Sequence, residues 1–405
     1  SRVAVSPRLG FHYDVNGDQS VVIRGGTGVF TGRVPFAWYG YAYTLNGGTY
    51  GNIDWNGPAA GQTVPLAINP QGLKDTVTKY GGISRSSTRE IDVFDNNFKL
   101  PTVWRSSIAV DLKFGKGYKF TADALYTKTL SDVKYEQINL KDSVAYYTTG
   151  PTQTPVYVGG KYNSNYSNVY FLTNTSEGYR YNLTVQLSKV TNNLGIGRHQ
   201  FNMNWSGAYT YGVSKDITNG IRNSWESSYN VNPAIVPGNS ALAYSNFDLR
   251  NRIVATWSGN LIWNESNATS LSFFYAGTSG SPYSLVYQSA PFGSGTNAAI
   301  PYIPKNQADA NLKDNSGYTA AQQWADLDAF ISGDKYLNTR RGQYAERNGL
   351  RTPWNHELDL KLMHEFKLSK TNSKQTLQIS LDIFNVLNLL NNDWGHVTFV
   401  TNLNN

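Results

Sequence analysis

Few residues in this chain have the types and spacing for chemistry, and their arrangement argues against most of it. Five histidines stand at positions 12, 199, 356, 364 and 396. His356 and His364 share one face of a strand pattern, but at strand rise they lie about 26 Å apart, too far to bind one metal ion. Asp14, Asn16, Asp18 and Ser20 have the one-three-five-seven spacing of a calcium loop. The twelfth position is Gly25 instead of a bidentate glutamate, and the segment reads as a hairpin turn. Glu357 and Asp359 are same-face carboxylates of the kind acid–base catalysis requires. Lys361 and Lys367 share that face, so a charged wall against water is the better reading. The chain has no G-x-S-x-G elbow, phosphate-binding glycine loop, dinucleotide fingerprint or H-E-x-x-H. It also has no cysteine, hence no disulfide and no thiolate metal site. No catalytic residue, metal ligand or cofactor is expected, and the chain is not read as an enzyme.

The elements that carry these residues are more informative. Residues 351 to 370 read RTPWNHELDLKLMHEFKLSK. Leu358, Leu360, Leu362, Phe366 and Leu368 fall on one parity, and Glu357, Asp359, Lys361, Glu365 and Lys367 on the other. A strand sends alternate side chains to opposite faces, so this segment has one apolar and one charged face. Either a protein core or lipid could cover the apolar face. Of the 405 residues only 40% are hydrophobic and 16% charged, while 14% are aromatic and 37 are glycine, a balance that suits strands and loops. Mean hydropathy is −0.43. No apolar run approaches the roughly 20 residues of a membrane-spanning helix, which excludes helical membrane proteins but not barrels, whose alternation cancels in a hydropathy average. The net charge of +7 is scattered along the chain, and without a basic cluster interleaved with aromatics no nucleic-acid partner is expected.

Along the chain, short turns alternate with long insertions. Strands are expected at 3–15 and 19–33 around Asn16-Gly17-Asp18, and at 102–114 and 118–140 around Gly115-Lys116-Gly117. Others are expected near 179–190 and 199–216 around Asn192 and Asn193, at 243–263 and 268–288, and at 355–369 and 375–390 around Lys370 to Lys374. Long polar stretches intervene at 34–101, 141–167, 217–242 and 289–353, the last with a helix near 319–332. Successive hairpins therefore have tight connections at one end and long ones at the other, as outer-membrane barrels do. The strands exceed the usual 5–6 residues and cover the roughly 9–11 that a tilted strand needs to cross lipid. Tyr118, Phe114 and Trp263 lie beside tight turns and Trp104, Tyr209 and Tyr211 near the opposite ends, which is where interfacial girdles belong. The fold expected is all-β, an antiparallel transmembrane barrel, with a secreted sandwich, propeller or lectin-like protein as the alternative.

Several segments carry a more specific signal. PRLGFHYDVNGDQSVVIRGGTGVFTGRVPFAW (7–38), DNNFKLPTVWRSSIAVD (95–111), FDLRNRIVATWS (247–258) and FFYAGTSGSPYSLVY (273–287) resemble the barrel of TonB-dependent outer-membrane receptors. LDAFISGDKYLNTRRGQYAERNGLRTPW (327–354) and LQISLDIFNVLNLLNNDWG (377–395) do so too. The resemblance is to the Oar-like group of Bacteroidetes, which carries a carboxypeptidase-regulatory-like domain. It implies a 22-stranded barrel, a plug, and uptake of a scarce solute (peptide, glycan or metal chelate) energised by the TonB–ExbB–ExbD complex. The ends at SRVAV and TNLNN both look cut. Residues 1–405 are thus expected to be a partial barrel domain of about ten strands, the plug, TonB box and terminal strands lying outside them. The expected surroundings are the lipid bilayer and lipopolysaccharide of a bacterial outer membrane, with a surface lipoprotein as a further partner. A passive or adhesive barrel, and a secreted carbohydrate-binding protein, are the alternatives.

Solute capture would fall to the loops. Trp38, Tyr39, Tyr41, Tyr43 and Trp55 offer flat rings with polar tips for a peptide or sugar, or else pack the loops against one another. The helix would present Trp324, Leu327 and Ile331 on one face. Arg340, Arg341, Glu346 and Arg347 are expected to brace their loop by ion pairs.

Overall fold

The computed structural model describes residues 5–47, 52–55, 57, 63–65, 69–81, 83–85, 89–141, 145–146, 155–156, 160–218, 222–236, 240–287, 298–368 and 375–400. Twelve strands matter for function. They are β1 (Arg8–Asp14), β2 (Val21–Thr31), β3 (Arg89–Phe94), β4 (Thr102–Phe114), β5 (Tyr118–Gln137) and β6 (Tyr166–Thr175). They continue with β7 (Tyr179–Ile196), β8 (His199–Asp216), β9 (Asn251–Asn264), β10 (Asn267–Thr278), β11 (Asn355–Lys367) and β12 (Thr376–Ile383). Ten form an antiparallel path in the order β1-β2-β4-β5-β7-β8-β9-β10-β11-β12, and among the described residues the sheet does not close on itself. The all-β antiparallel expectation holds, down to about ten strands in the wall.

The register joins the alternation of the separate strands into two continuous faces. Leu358 lies opposite Tyr275, which lies opposite Ala255, then Gly207 and Leu187, and the succession continues through Phe120 and Leu112 to Val21. Every residue in it is apolar, glycine or tyrosine. On the other face hydroxyls bridge neighbouring strands: Thr184 with Thr210 at 2.9 Å, Ser206 with Thr256 at 2.7 Å and Ser258 with Ser272 at 2.9 Å. Leu183 and Val185, on the apolar face, are 51% and 45% exposed, so no protein core covers them. Rings mark both borders of this band. Phe114 stacks on Tyr118 at 5.5 Å and His199 meets Trp263 at 5.2 Å at the short-turn end, while Trp104 meets Tyr126 at 6.0 Å at the other. From Trp104 to Phe114 the strand covers roughly 33 Å, about 25 Å along the membrane normal at the usual tilt, which is the height of a barrel's apolar belt.

The short connections between neighbouring strands of the ten-strand path lie at one rim. One of them, 115–117, is tight because Gly117 has φ +84°, and a Cβ there would sit 2.1 Å from the Val190 carbonyl oxygen. Asn192 and Asn193 are not the turn expected of them. They interrupt the β7–β8 ladder as a bulge, with Asn193 at φ 57°, and the chain reverses after Ile196. The last strand is also shorter than expected: it ends at Ile383 and gives way to a short helix at Leu387–Leu390. Residues 370–374, expected to turn between β11 and β12, and 401–405 lie outside the described residues.

The opposite rim carries the insertions. The loop after β2 contains helices α1 (Phe36–Thr44) and α2 (Pro70–Lys79) and the strand β3. Sequence periodicity predicts only a long polar stretch here, because its elements are short and pack within the loop layer. β3 pairs in parallel with β6, which itself pairs with the outer half of β5. The loop before β11 holds α3 (Ala320–Gly333), close to the helix expected at 319–332. Thr319 caps it in a reciprocal box with Gln322.

Candidate functional site

The long-loop rim is built around two small cores. The first gathers Val34, Trp38, Val133, Tyr135, Tyr170, Leu172, Trp225 and Tyr229. Trp38 is 3% exposed, meets Tyr135 edge-on at 5.6 Å, and donates its indole N–H to the Arg222 carbonyl at 3.2 Å. It ties the first loop to the third. Tyr39 stacks on Phe94 at 5.3 Å, and Trp55 donates to the Tyr80 carbonyl at 3.0 Å. Tyr41 is partly buried, whereas Tyr43 is 78% exposed. The five rings proposed for capture therefore do not converge on one surface: two indole N–H groups are satisfied inside the loops, and Tyr43 has the most exposed ring.

A carboxylate, not legible as special in the sequence, lies against this core. Asp92 of β3 is 2% exposed, and neither side-chain oxygen has a hydrogen-bond partner. Burial, then the nearby Glu90 and Glu226, raises its pKa to about 8. Burial and Glu226 raise Glu90 to about 7. Burial and the neighbouring carboxylates thus favour the protonated form of both groups.

The second core comprises Ile300, Ile303, Ile331, Leu337, Ala345 and Leu350, with Leu327 packed against it. Arginines fasten it. Arg340 donates to the Tyr344 carbonyl at 2.7 Å and approaches Glu346 at 3.4 Å, while Arg341 pairs with Asp328 at 2.6 Å. Arg347, 2% exposed, pairs with Asp216 at the tip of β8 and donates to Asn232 at 3.3 Å. A second junction was not legible in the sequence. Asp248, 1% exposed, pairs with Arg250 at 3.0 Å and with Arg351, and also accepts from the Ser214 amide. It joins the third loop, the long loop and the top of β8. The spacing of Asp248 and Arg351 carries no sign of this, because about a hundred residues separate them.

Several of the residues weighed for metal or acid–base chemistry have structural partners. Asp14 accepts from the amides of Gly17 at 3.1 Å and Gln19 at 2.8 Å in its own turn. Asp359 accepts from the Asn385 amide at 2.8 Å, and Lys361 pairs with Asp382 at 3.0 Å. His356 meets the Tyr275 hydroxyl at 2.7 Å and His364 the Thr269 hydroxyl at 2.8 Å. Among the described residues no group of three or more His, Asp or Glu is placed to hold a metal ion.

A sheet with one lipid-facing and one water-facing side, and all its long loops at one rim, is a wall between membrane and aqueous pore. The outer membrane beta barrel domain family matches residues 2–400 of this chain. The chain belongs to that family. An outer membrane beta barrel domain resides in the bacterial outer membrane, which fixes the apolar face toward lipid and the polar face toward the interior. The transporter YddB from Escherichia coli is 14% identical, with 96% of this chain and 37% of that one covered at a TM-score of 0.45. The ferric-catecholate import receptor Fiu from E. coli K12 is 10% identical (94% and 46% covered, TM-score 0.33). The FrpB iron transporter from Neisseria meningitidis is 9% identical (93% and 41%, TM-score 0.28). The chain spans less than half the length of each of these proteins. A comparison with curated proteins found no match.

Proposed function

We propose that this barrel domain belongs to a TonB-dependent receptor of the Oar-like type, which takes up a scarce solute through its interior using energy relayed from the inner membrane. The observation that carries this reading is the one-sided architecture. A hydroxyl- and charge-bearing interior wall rises into two packed loop cores, the first tied across loops by the Trp38 indole and the second held by the ion pairs of Arg347 and Arg351. Built loops of this kind suit selective capture better than an open channel. The segments 7–38, 95–111, 247–258, 273–287, 327–354 and 377–395 add the resemblance to that receptor group. The plug, the TonB–ExbB–ExbD complex and a surface lipoprotein are the partners this reading implies. The test is accumulation of nutrient in cells carrying the complete gene, with and without a proton-motive-force uncoupler. TonB-dependent uptake is lost on uncoupling and on deletion of TonB. Uptake that survives both means a passive barrel.

A further inference from the structure

Across the interior face near the long-loop rim, the register places three arginines at one level. Arg8 lies opposite Gly28, Gly28 opposite Arg105, Arg105 opposite Thr127, Thr127 opposite Arg180, and Arg180 opposite Ser214. Each arginine is two strands from the next, about 10 Å at the usual strand spacing. All three are exposed. Arg105 is tethered through Nε to the Thr127 hydroxyl and Arg180 through Nε to that of Ser214, both at 3.2 Å. The Arg8 guanidinium lies over the Phe30 ring at 4.6 Å, and Arg105 approaches the same ring at 5.6 Å. The tethers fix the side chains and leave the outer nitrogens of the guanidiniums facing the interior. Gly28 makes room for this, since a Cβ there would lie 3.0 Å from the Arg8 side chain.

Their setting distinguishes these arginines from the rest of the wall. Among the described residues no carboxylate is within ion-pair distance of any of the three, whereas Arg24, lower on the same face, is paired with Asp111 at 2.8 Å. The row immediately below consists of Gly10, Gly26, Ser107, Leu125, Asn182 and Gly212, with no charge and three positions without side chains. A carboxylate returns only one row further down, at Asp123. Beside Arg180 a cavity of about 200 Å³ opens between Asn182, Ser214, Phe247, Leu249 and Asp248, whose carboxylate is already paired with Arg250 and Arg351. Oriented, unneutralised guanidiniums present paired donors suited to carboxylate or phosphate oxygens.

We infer that this row is a binding site for a polyanionic solute. The inference rests on the uptake reading for its biological sense, since it names the class of cargo met inside the mouth. The uncharged row below gives such a solute a smooth wall to move along once released.

The test is calorimetric titration of the complete chain in detergent micelles at low salt with tetraglutamate, inorganic tripolyphosphate and, as neutral comparison, tetraglutamine. Both anions bind and tetraglutamine does not. Each of R8Q, R105Q and R180Q weakens anion binding about tenfold, and the triple variant abolishes it. Raising salt weakens binding by the parent, because the charges are exposed. R24Q binds as the parent does. Assembly of each variant is checked by heat-modifiable mobility, so loss of binding is not confused with loss of fold. Failure of the parent to bind either anion, as when an acidic protein surface already covers the row, overturns the inference. So does a folded triple variant with parental affinity. Binding at equilibrium needs no energy source, so either result leaves the uncoupler experiment to decide the uptake reading independently.

Discussion

Arg347, enclosed in the loop before β11, forms an ion pair with Asp216 at the outer tip of β8, 131 residues away in sequence. A cation removed from water so completely holds its place through this carboxylate, the backbone carbonyl of Asp216 and the amide oxygen of Asn232. Replacing Arg347 with alanine leaves Asp216 unpaired and should cost the docked loop about 3–5 kcal/mol. Limited trypsin digestion checks this: cleavage within 298–354 accelerates by orders of magnitude, while the barrel core stays resistant. An unchanged digestion rate would show that the pair does not hold the loop.

The carboxylates of β3 give the loop layer a pH dependence with a definite sign. Asp92 at about 8 and Glu90 at about 7 are both raised above their ordinary carboxylate values. The folded strand therefore retains protons that the released strand loses. Docking is strongest below about pH 4 and weakens as pH rises, through about 7 for Glu90 and about 8 for Asp92. The docking constant falls at most about tenfold per pH unit for each group. Hydrogen exchange of residues 89–94 between pH 5 and 9 reads this directly, and D92N should flatten the profile and raise protection at neutral pH.

The two faces of the wall predict opposite tolerances. Leu183→Arg places a charge in the apolar band and should destabilise the barrel by about 2–4 kcal/mol. Gln186→Arg, on the same strand but facing the interior, should assemble normally. Heat-modifiable mobility after assembly in lipid separates the two. Equal behaviour would contradict the lipid assignment.

Trp38 and Tyr43 share helix α1 but differ in what they touch. Trp38→Ala removes a buried indole and its N–H contact to Arg222, and should loosen the first loop by about 3–5 kcal/mol. Tyr43→Ala should leave loop protection within about 0.5 kcal/mol, as exposed positions usually do. A change in solute affinity with Tyr43→Ala alone would assign capture to that ring.

The wall was legible because a strand in a barrel wall faces two solvents, and each solvent selects one parity. Leu358 against Glu357 and Leu183 against Thr184 carry that record residue by residue. The rims were legible because tight turns need glycine and asparagine, as at Gly115 and Gly117, and long loops do not. Asn192 and Asn193 misled because the left-handed backbone that favours asparagine in a turn also favours it in a bulge. The loop cores and the arginine row were hidden for another reason. Asp248 meets Arg351, and Arg8 shares a level with Arg105 and Arg180, only through pairings across distant strands, and such pairings leave no local periodicity.

Strand β5 has a consequence for the molecule's outline. Its inner part pairs with β7 as far as Lys128, and its outer part, from Asp132 to Gln137, is completed by β6. Beyond Lys128 the strand continues for roughly 30 Å, about 23 Å of it along the membrane normal. The opening is therefore a raised collar on this side, not a hole flush with the headgroups. An antibody approaching the cell here would touch protein well before lipid.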